Sequence, residues 1–351
     1  MTSRERVLAA LHGDEPDRVP AALSFYHLDL DSFLPPDLRA EDRVDVLFVR
    51  FPVSEGEEQL ARRALPHQGD TRLGSPDQRA TYRRWRYRPG SRKKRNPLVS
   101  VRSLAELQAF PFPEGETPHC ADDLARQVAD LHERGLAAGG NTPHLGGELF
   151  EASWRLRGLE NFLIDLVKRP DWAHFLLDRL TALATRNART LAAAGIDVLA
   201  LDDDVGMPGG MMISPACWRE FFKPRFAAII AAARAERPEL RVLFHSDGDF
   251  EAIVGDLMEI GVDAIHPLQP EHMDAARIRA RYGRALALWG TVGRQTSFSF
   301  DTPAQIQDEV RRRLEALGRF GLILCPAYDI DEPDIPRENV AAFLQAVADQ
   351  G

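Results

Sequence analysis

RVLFHSDGDFEAIVGDLMEIGVDAIHPLQP, residues 241–270, holds the pattern on which the fold turns. An apolar run, Val242 to Phe244, stops at a polar, glycine-containing break, His245 to Asp249. An amphipathic stretch follows, and then a second short apolar run ends in His266. Strand, break, helix and strand in that order predict a parallel pair joined by a crossover helix. The theme recurs in "DVLALDDD" from Asp197, "ALALWGTVG" from Ala285 and "GLILCPAYD" from Gly321. Near-continuous apolar strands predict a sheet covered on both faces. The helices between them carry start signals: Ser214 with Pro215, and Thr302 with Pro303 and Gln305 in a capping-box pattern. Pro224 predicts a kink, and Pro170 a break between two helices.

Working outward, the first half is less regular. Residues 1–11 read as a helix, 44–53 as a strand, and Ser103 to Glu106 as another capping box. The expected architecture is one (β/α)8 barrel domain over residues 1–351, with an N-terminal extension and a basic hairpin insertion at 80–98. An open doubly wound sheet is the alternative. No GxGxxG or GxxxxGK[ST] follows any strand, so the usual phosphate cradles are missing.

The chain has 351 residues, 44% hydrophobic and 28% charged, with a net charge of −9. Such an acidic chain has no general attraction for nucleic acid. The run "RRWRYRPGSRKKRNP", residues 83–97, reads as an exposed hairpin solvated on one face. Three well-separated cysteines, Cys120, Cys217 and Cys325, argue against a disulfide framework. With no apolar signal core and no stretch of membrane-spanning length, the expected location is the cytoplasm.

In a parallel barrel the active site lies at the C-terminal ends of the strands. Here those ends carry Asp202, Asp203 and Asp204, then His245, Asp247 and Asp249. His266 and Gln269 come next, followed by Trp289 and Arg294, and then Cys325, Tyr328 and Asp329. If the strand runs through Asp247, then His245 and Asp247 share a face. Such a pair can bind a metal or act as a base with its orienting acid. Asp249 is the natural cap of the next helix.

The chain resembles the uroporphyrinogen decarboxylase superfamily. The resemblance lies in "RERVLAALHGDEPDRVP", "FEASWRLRGLENFLIDLVKRPD", "GIDVLALDDDVG", "ISPACWREFFKPR", "HSDGDFEAIVGDLMEIGVDAIHPLQP", "YGRALALWGTVGRQ" and "CPAYDIDEPDIPRENVAAF". It implies a (β/α)8 barrel and one of two chemistries. Decarboxylases of that family hold the substrate's propionates with arginines near the first strand. The corresponding stretch here, "AALSFYHLDLDS", has none. The other branch transfers methyl groups to or from a corrinoid protein, and its coenzyme-M-type members bind zinc through a His-x-Cys pair and a later Cys. Those positions are His245, Asp247 and Tyr328 here, with Cys325 three residues before the last. That leaves two alternatives: a harder, oxygen-rich site built from His245, Asp247 and a carboxylate such as Glu148 or Asp204, or a metal-free site.

The resemblance thus implies a methyl (alkyl) transferase that demethylates an O- or N-methyl donor. Cobalamin would arrive on a separate corrinoid protein. His245 and Asp247 are expected as metal ligands or acid–base pair, Asp203 and Asp204 as substrate-orienting groups and Tyr328 as proton donor. Phe25, Glu148, Trp154, Met207, Gln269 and Trp289 are expected around the substrate. The alternative is a decarboxylase with no cofactor, acting on a carboxylated substrate. Dimers are common in the family, and the long late helices could serve as an interface.

Overall fold

Apolar residues alternate in direction along each strand, and that alternation builds two separate cores. In the computed structural model, which describes residues 1–64, 96–113, 120–293, 298–327, 330 and 335–350, the strands are β1 (Val46–Phe48), β2 (Ala137–Asn141), β3 (Val198–Asp202), β4 (Gly206–Met207), β5 (Gly210–Met211), β6 (Arg241–His245), β7 (Ala264–His266), β8 (Ala287–Trp289) and β9 (Leu322–Ile323). Seven form one parallel sheet in the order β1-β2-β3-β6-β7-β8-β9, while β4 and β5 make a small antiparallel hairpin. Ala21 closes the ring. It bridges Leu324 on one side, and on the other its carbonyl accepts from the Asp45 amide at 2.8 Å. The barrel expectation holds, and the open-sheet alternative does not.

Val46, Phe48, Ala137, Val198, Ala200, Leu243, Ala264, Ala287, Trp289 and Ile323 pack inside the barrel. Leu199, Leu201, Val242, Phe244, Ile265, Leu288 and Leu322 face outward into the larger core under the helices. The helices are α1 (Ser3–His12), α2 (Glu55–Ala64), α3 (Leu104–Gln108), α4 (Cys120–Glu133), α5 (Phe150–Arg157), α6 (Leu159–Lys168), α7 (Pro170–Ala193), α8 (Lys223–Glu236), α9 (Val254–Glu259), α10 (Ala275–Tyr282), α11 (Pro303–Leu317) and α12 (Arg337–Ala348). Val7, Ala10 and Leu11 of α1 join the inner core, so α1 plugs the floor of the barrel. There Arg4 grips Asp197 and Arg6 grips Asp45, aspartates that stand just before β3 and β1.

The start signals at Ser214 and Thr302 are used: each side chain accepts from the amide three residues on, and Thr302 with Gln305 completes a capping box. The kink expected at Pro224 is a π-helical turn, Trp218–Phe222, directly before α8. Residues 80–95 of the expected basic hairpin lie outside the described residues. No described helix is long and apolar enough to cross a membrane.

Candidate active site

Parallel register, together with inward alternation, sets side chains of adjacent strands next to one another. Asp202 pairs with His245, and His245 pairs with His266. All three continue the inward rows of Val198 and Ala200, of Leu243, and of Ala264. Three neighbouring strands therefore end in an acid and two imidazoles at one level of the mouth. All three side chains are buried.

Among the described residues, ligand atoms of Asp202, Asp204 and His245 all lie within 4.8 Å of one another. His245 Nε2 is 3.8 Å from an oxygen of each aspartate. The buried Asp202 Oδ1 accepts no hydrogen bond among the described residues. Its other oxygen is 3.5 Å from His144 Nε2. Behind His245, the two Nδ1 atoms of His245 and His266 approach to 2.6 Å. Phe25 lies flat on His245, ring centroids 3.9 Å apart and planes within 10°.

The expected partner, Asp247, is placed differently. β6 ends at His245, and Gly248, at φ 79°, turns the chain against the backbone of Gly206 and Met207. With the strand ended, the shared face of residues 245 and 247 is lost. Asp247 accepts from Gln269 Nε2 at 2.9 Å, and its amide donates to Asp204 Oδ1 at 2.7 Å. Gln269, only 3% exposed, also accepts from the Gly248 amide. Asp247 and Gln269 thus hold the loop that presents Asp204. Asp249 accepts from the Glu251 amide where the next helical turn begins.

Glu148, expected beside the metal, is buried one layer away. It accepts from Thr142 Oγ1 at 2.7 Å and from the Asp202 amide at 2.6 Å, so it holds the end of β3. Asp203 is fully buried, and its two oxygens accept from the Phe150 and Glu151 amides at 2.8 and 2.9 Å. Asp203 therefore caps α5 from another element. Trp289 is wholly buried among the inner residues, with Phe48 6.4 Å away. Trp154 is half-buried on α5 under the guanidinium of Arg155, and Met207 is exposed on the β4–β5 hairpin. Tyr328, Asp329 and Arg294 lie outside the described residues. Two residues of the mouth, Asp202 and His266, stand among the expected polar strand ends but had no role assigned to them there. Their signal was present in the sequence as strand parity.

The electrostatics follow from packing acids with few cations. Burial, reinforced by Asp204, Glu148 and Glu151, pushes the Asp202 carboxyl well above its ordinary range. Burial likewise raises Glu148 and Asp204, and takes Glu151 to about 8 despite Arg155. Burial, with His266 and His144 adding to it, holds His245 well below the usual imidazole range, and burial puts His266 at about 3. The mouth thus gathers carboxyls and imidazoles, and among the described residues Arg155 is the cation that acts on Glu151 and Asp204. A divalent cation would add positive charge, and its donor set of two oxygens and one imidazole nitrogen suits zinc or a harder ion.

A closed parallel barrel with acids and imidazoles at its C-terminal mouth is the arrangement of a barrel enzyme. The uroporphyrinogen decarboxylase (URO-D) family model matches residues 151–350, more than half of the chain, and the chain belongs to that family. It is 26% identical over 192 residues to methylcobamide:CoM methyltransferase MtaA of Methanosarcina barkeri, covering 54% of this chain and 53% of that protein. It thus spans about half the length of that relative. Over 264 residues it is 28% identical to uroporphyrinogen decarboxylase of Coxiella burnetii, covering 72% of this chain and 68% of the other. A solved methyltransferase from Methanosarcina mazei superposes with a TM-score of 0.67 at 16% identity, covering 99% of this chain and 98% of that one. That likeness carries the fold.

Proposed function

We propose that the chain moves a methyl or other small alkyl group from an O- or N-methyl donor to a corrinoid carried on a separate protein, aided by a divalent cation, with zinc foremost. The observation that carries this reading is the convergence of Asp202, Asp204 and His245 ligand atoms within 4.8 Å, with Asp202 Oδ1 buried and unbonded among the described residues. A cation there would polarise the heteroatom that carries the alkyl group. Asp202 and His245 would hold it from the barrel wall, and Asp204 from the loop braced by Asp247 and Gln269. Phe25 shields one face of His245 from water. Tyr328 remains the proposed proton donor to the leaving atom. The working site of the protein is taken to be cytoplasmic.

The runner-up is decarboxylation of a carboxylated substrate. One feature favours it: burial pushes the Asp202 carboxyl well above its ordinary range, a shift that suits a proton donor. Against it stands the segment 21–32, which carries no arginine for a poly-anionic substrate.

The deciding experiment is metal analysis of untagged protein purified without chelator. We expect about one divalent ion per chain (the capacity of one such site) in wild type and in Asp247→Ala. It should be lost in His245→Ala, Asp202→Asn and Asp204→Asn. Metal-free wild type that releases CO2 from a carboxylated substrate, with no corrinoid protein present, would turn the assignment to the decarboxylase.

A further inference from the structure

The first crossover of the barrel lacks the α-helix that, among the described residues, every other crossover between neighbouring strands carries. Between Ala21, which closes the ring, and β1 the chain makes two short 3-10 turns, Leu30–Phe33 and Ala40–Asp42. The outward face of a parallel strand has to be covered. Leu199, Leu201, Val242, Phe244, Ile265, Leu288 and Leu322 meet that need fully, each at 0% exposure. Leu47, the outward residue of β1, is only partly buried.

The shortfall leaves a cavity of about 190 Å3 on the helix side of the wall. Leu28, Leu30, Leu47, Val49 and Leu131 line it, and all five belong to the larger core or pack against it. Close-packed interiors keep few voids larger than a water molecule. An apolar cavity of about 150 Å3 admits benzene, so this one has room for a single aromatic ring and a substituent.

Much of the polar lining is already engaged. Ser24 Oγ donates to the Tyr26 carbonyl at 2.9 Å and accepts from the Tyr26 amide at 3.1 Å. Gln127 bonds both backbone groups of Arg50, and Asp130 is paired with Arg134. His27 differs. Its Nδ1 donates to the Phe48 carbonyl at 2.9 Å, since a carbonyl only accepts. In the neutral ring that leaves Nε2 as an acceptor. The molecule that suits this lining is apolar and neutral, with one hydroxyl to donate.

The cavity meets the mouth through two residues. Tyr26 lines the cavity, and its ring stands edge-on to the Phe25 ring, centroids 5.0 Å apart. Phe25 in turn lies flat on His245 at 3.9 Å. A shift of Tyr26 is thus one ring away from the mouth.

We propose that this cavity is an effector site for a small neutral phenol, and that its occupancy is passed to the mouth through Tyr26 and Phe25. The site stands apart from Asp202, Asp204 and His245 and does not depend on a metal there.

The test is NMR of the full chain with 13C-labelled leucine methyls and phenylalanine rings, titrated with phenol and with toluene, which has the same size and no hydroxyl. Both should give saturable shifts at Leu28, Leu47 and Leu131, and bound phenol should also shift the Phe25 ring. Leucine signals indifferent to both molecules overturn the site. Leucine shifts that leave Phe25 unmoved overturn the link to the mouth. His27→Leu should weaken phenol about fivefold, the worth of one hydrogen bond, and leave toluene binding unchanged, which also shows that the variant is folded. Phenol that binds the variant as well as wild type overturns the role of His27. If the variant does not fold, 15N-labelled wild type decides instead: a His27 Nε2 resonance that moves with phenol and not with toluene supports the acceptor, and one that ignores phenol overturns it.

Discussion

At the scale of single residues, the triplet Asp202–Asp204 shows how one sequence run divides into three tasks. Asp202 continues the inward row of Val198 and Ala200 and enters the mouth. Asp203 faces the other way and caps α5 through two amides. Asp204, half-buried, returns to the mouth on the loop. The acids were plain in the sequence, but their division was not, because choosing among them needs the parity of the strand and the place where it ends. The same parity places His266 beside His245. Asp203→Ala should therefore affect stability before anything else. It strands two buried amides, a loss of about 1–3 kcal/mol each in the unsatisfied limit. Urea unfolding that shows no change would remove the capping role.

At the scale of elements, legibility depended on whether the signal was local. Caps at Ser214 and Thr302 and the helix break at Pro170 are written in adjacent residues, and they appear where expected. β6 ends at His245, two residues short of what a shared face for His245 and Asp247 requires. That end is decided by a neighbour distant in sequence, the β4–β5 hairpin against which Gly248 turns. Contacts of that kind also tie the helices to the barrel floor. Asp197, just before β3, takes Arg4 of α1 at 2.9 Å, His132 of α4 at 2.8 Å and the Ala138 amide at 3.0 Å. Burial opposes its ionisation, but the bonds from Arg4, Ala138 and His132 outweigh it and hold the carboxyl below its ordinary range. A carboxyl depressed in the folded state stabilises above the unfolded value, near 4. That stabilisation is lost as pH falls through the folded value. Wild type should therefore lose more stability between neutral pH and about pH 3 than Asp197→Asn does. Parallel pH profiles for the two proteins in thermal unfolding would refute this.

Across the whole molecule, the floor of the barrel, opposite the proposed site, carries a second cluster of buried charge. At the floor, Asp45 is fully buried and takes Arg6 at 2.7 Å, Arg18 at 2.8 Å and the Ala21 amide at 2.8 Å. It thereby fastens the segment that closes the ring. Asp45→Ala takes an acceptor from Arg6, which keeps Asp17, from the half-buried Arg18, and from the buried Ala21 amide, whose loss alone should cost about 1–3 kcal/mol. Denaturant unfolding measures it, with metal content unchanged in the molecules that remain folded. A variant as stable as wild type would mean the ring closes by other contacts.

The row of Asp202, His245 and His266 rests on backbone pairing that takes no account of which side chains it carries. Mutation can therefore rewrite those positions one at a time, with every strand left in register. A lineage built on this barrel can pass from one reaction to another without losing its fold on the way. That freedom fits similar chains that bear the names of a methyltransferase and a decarboxylase.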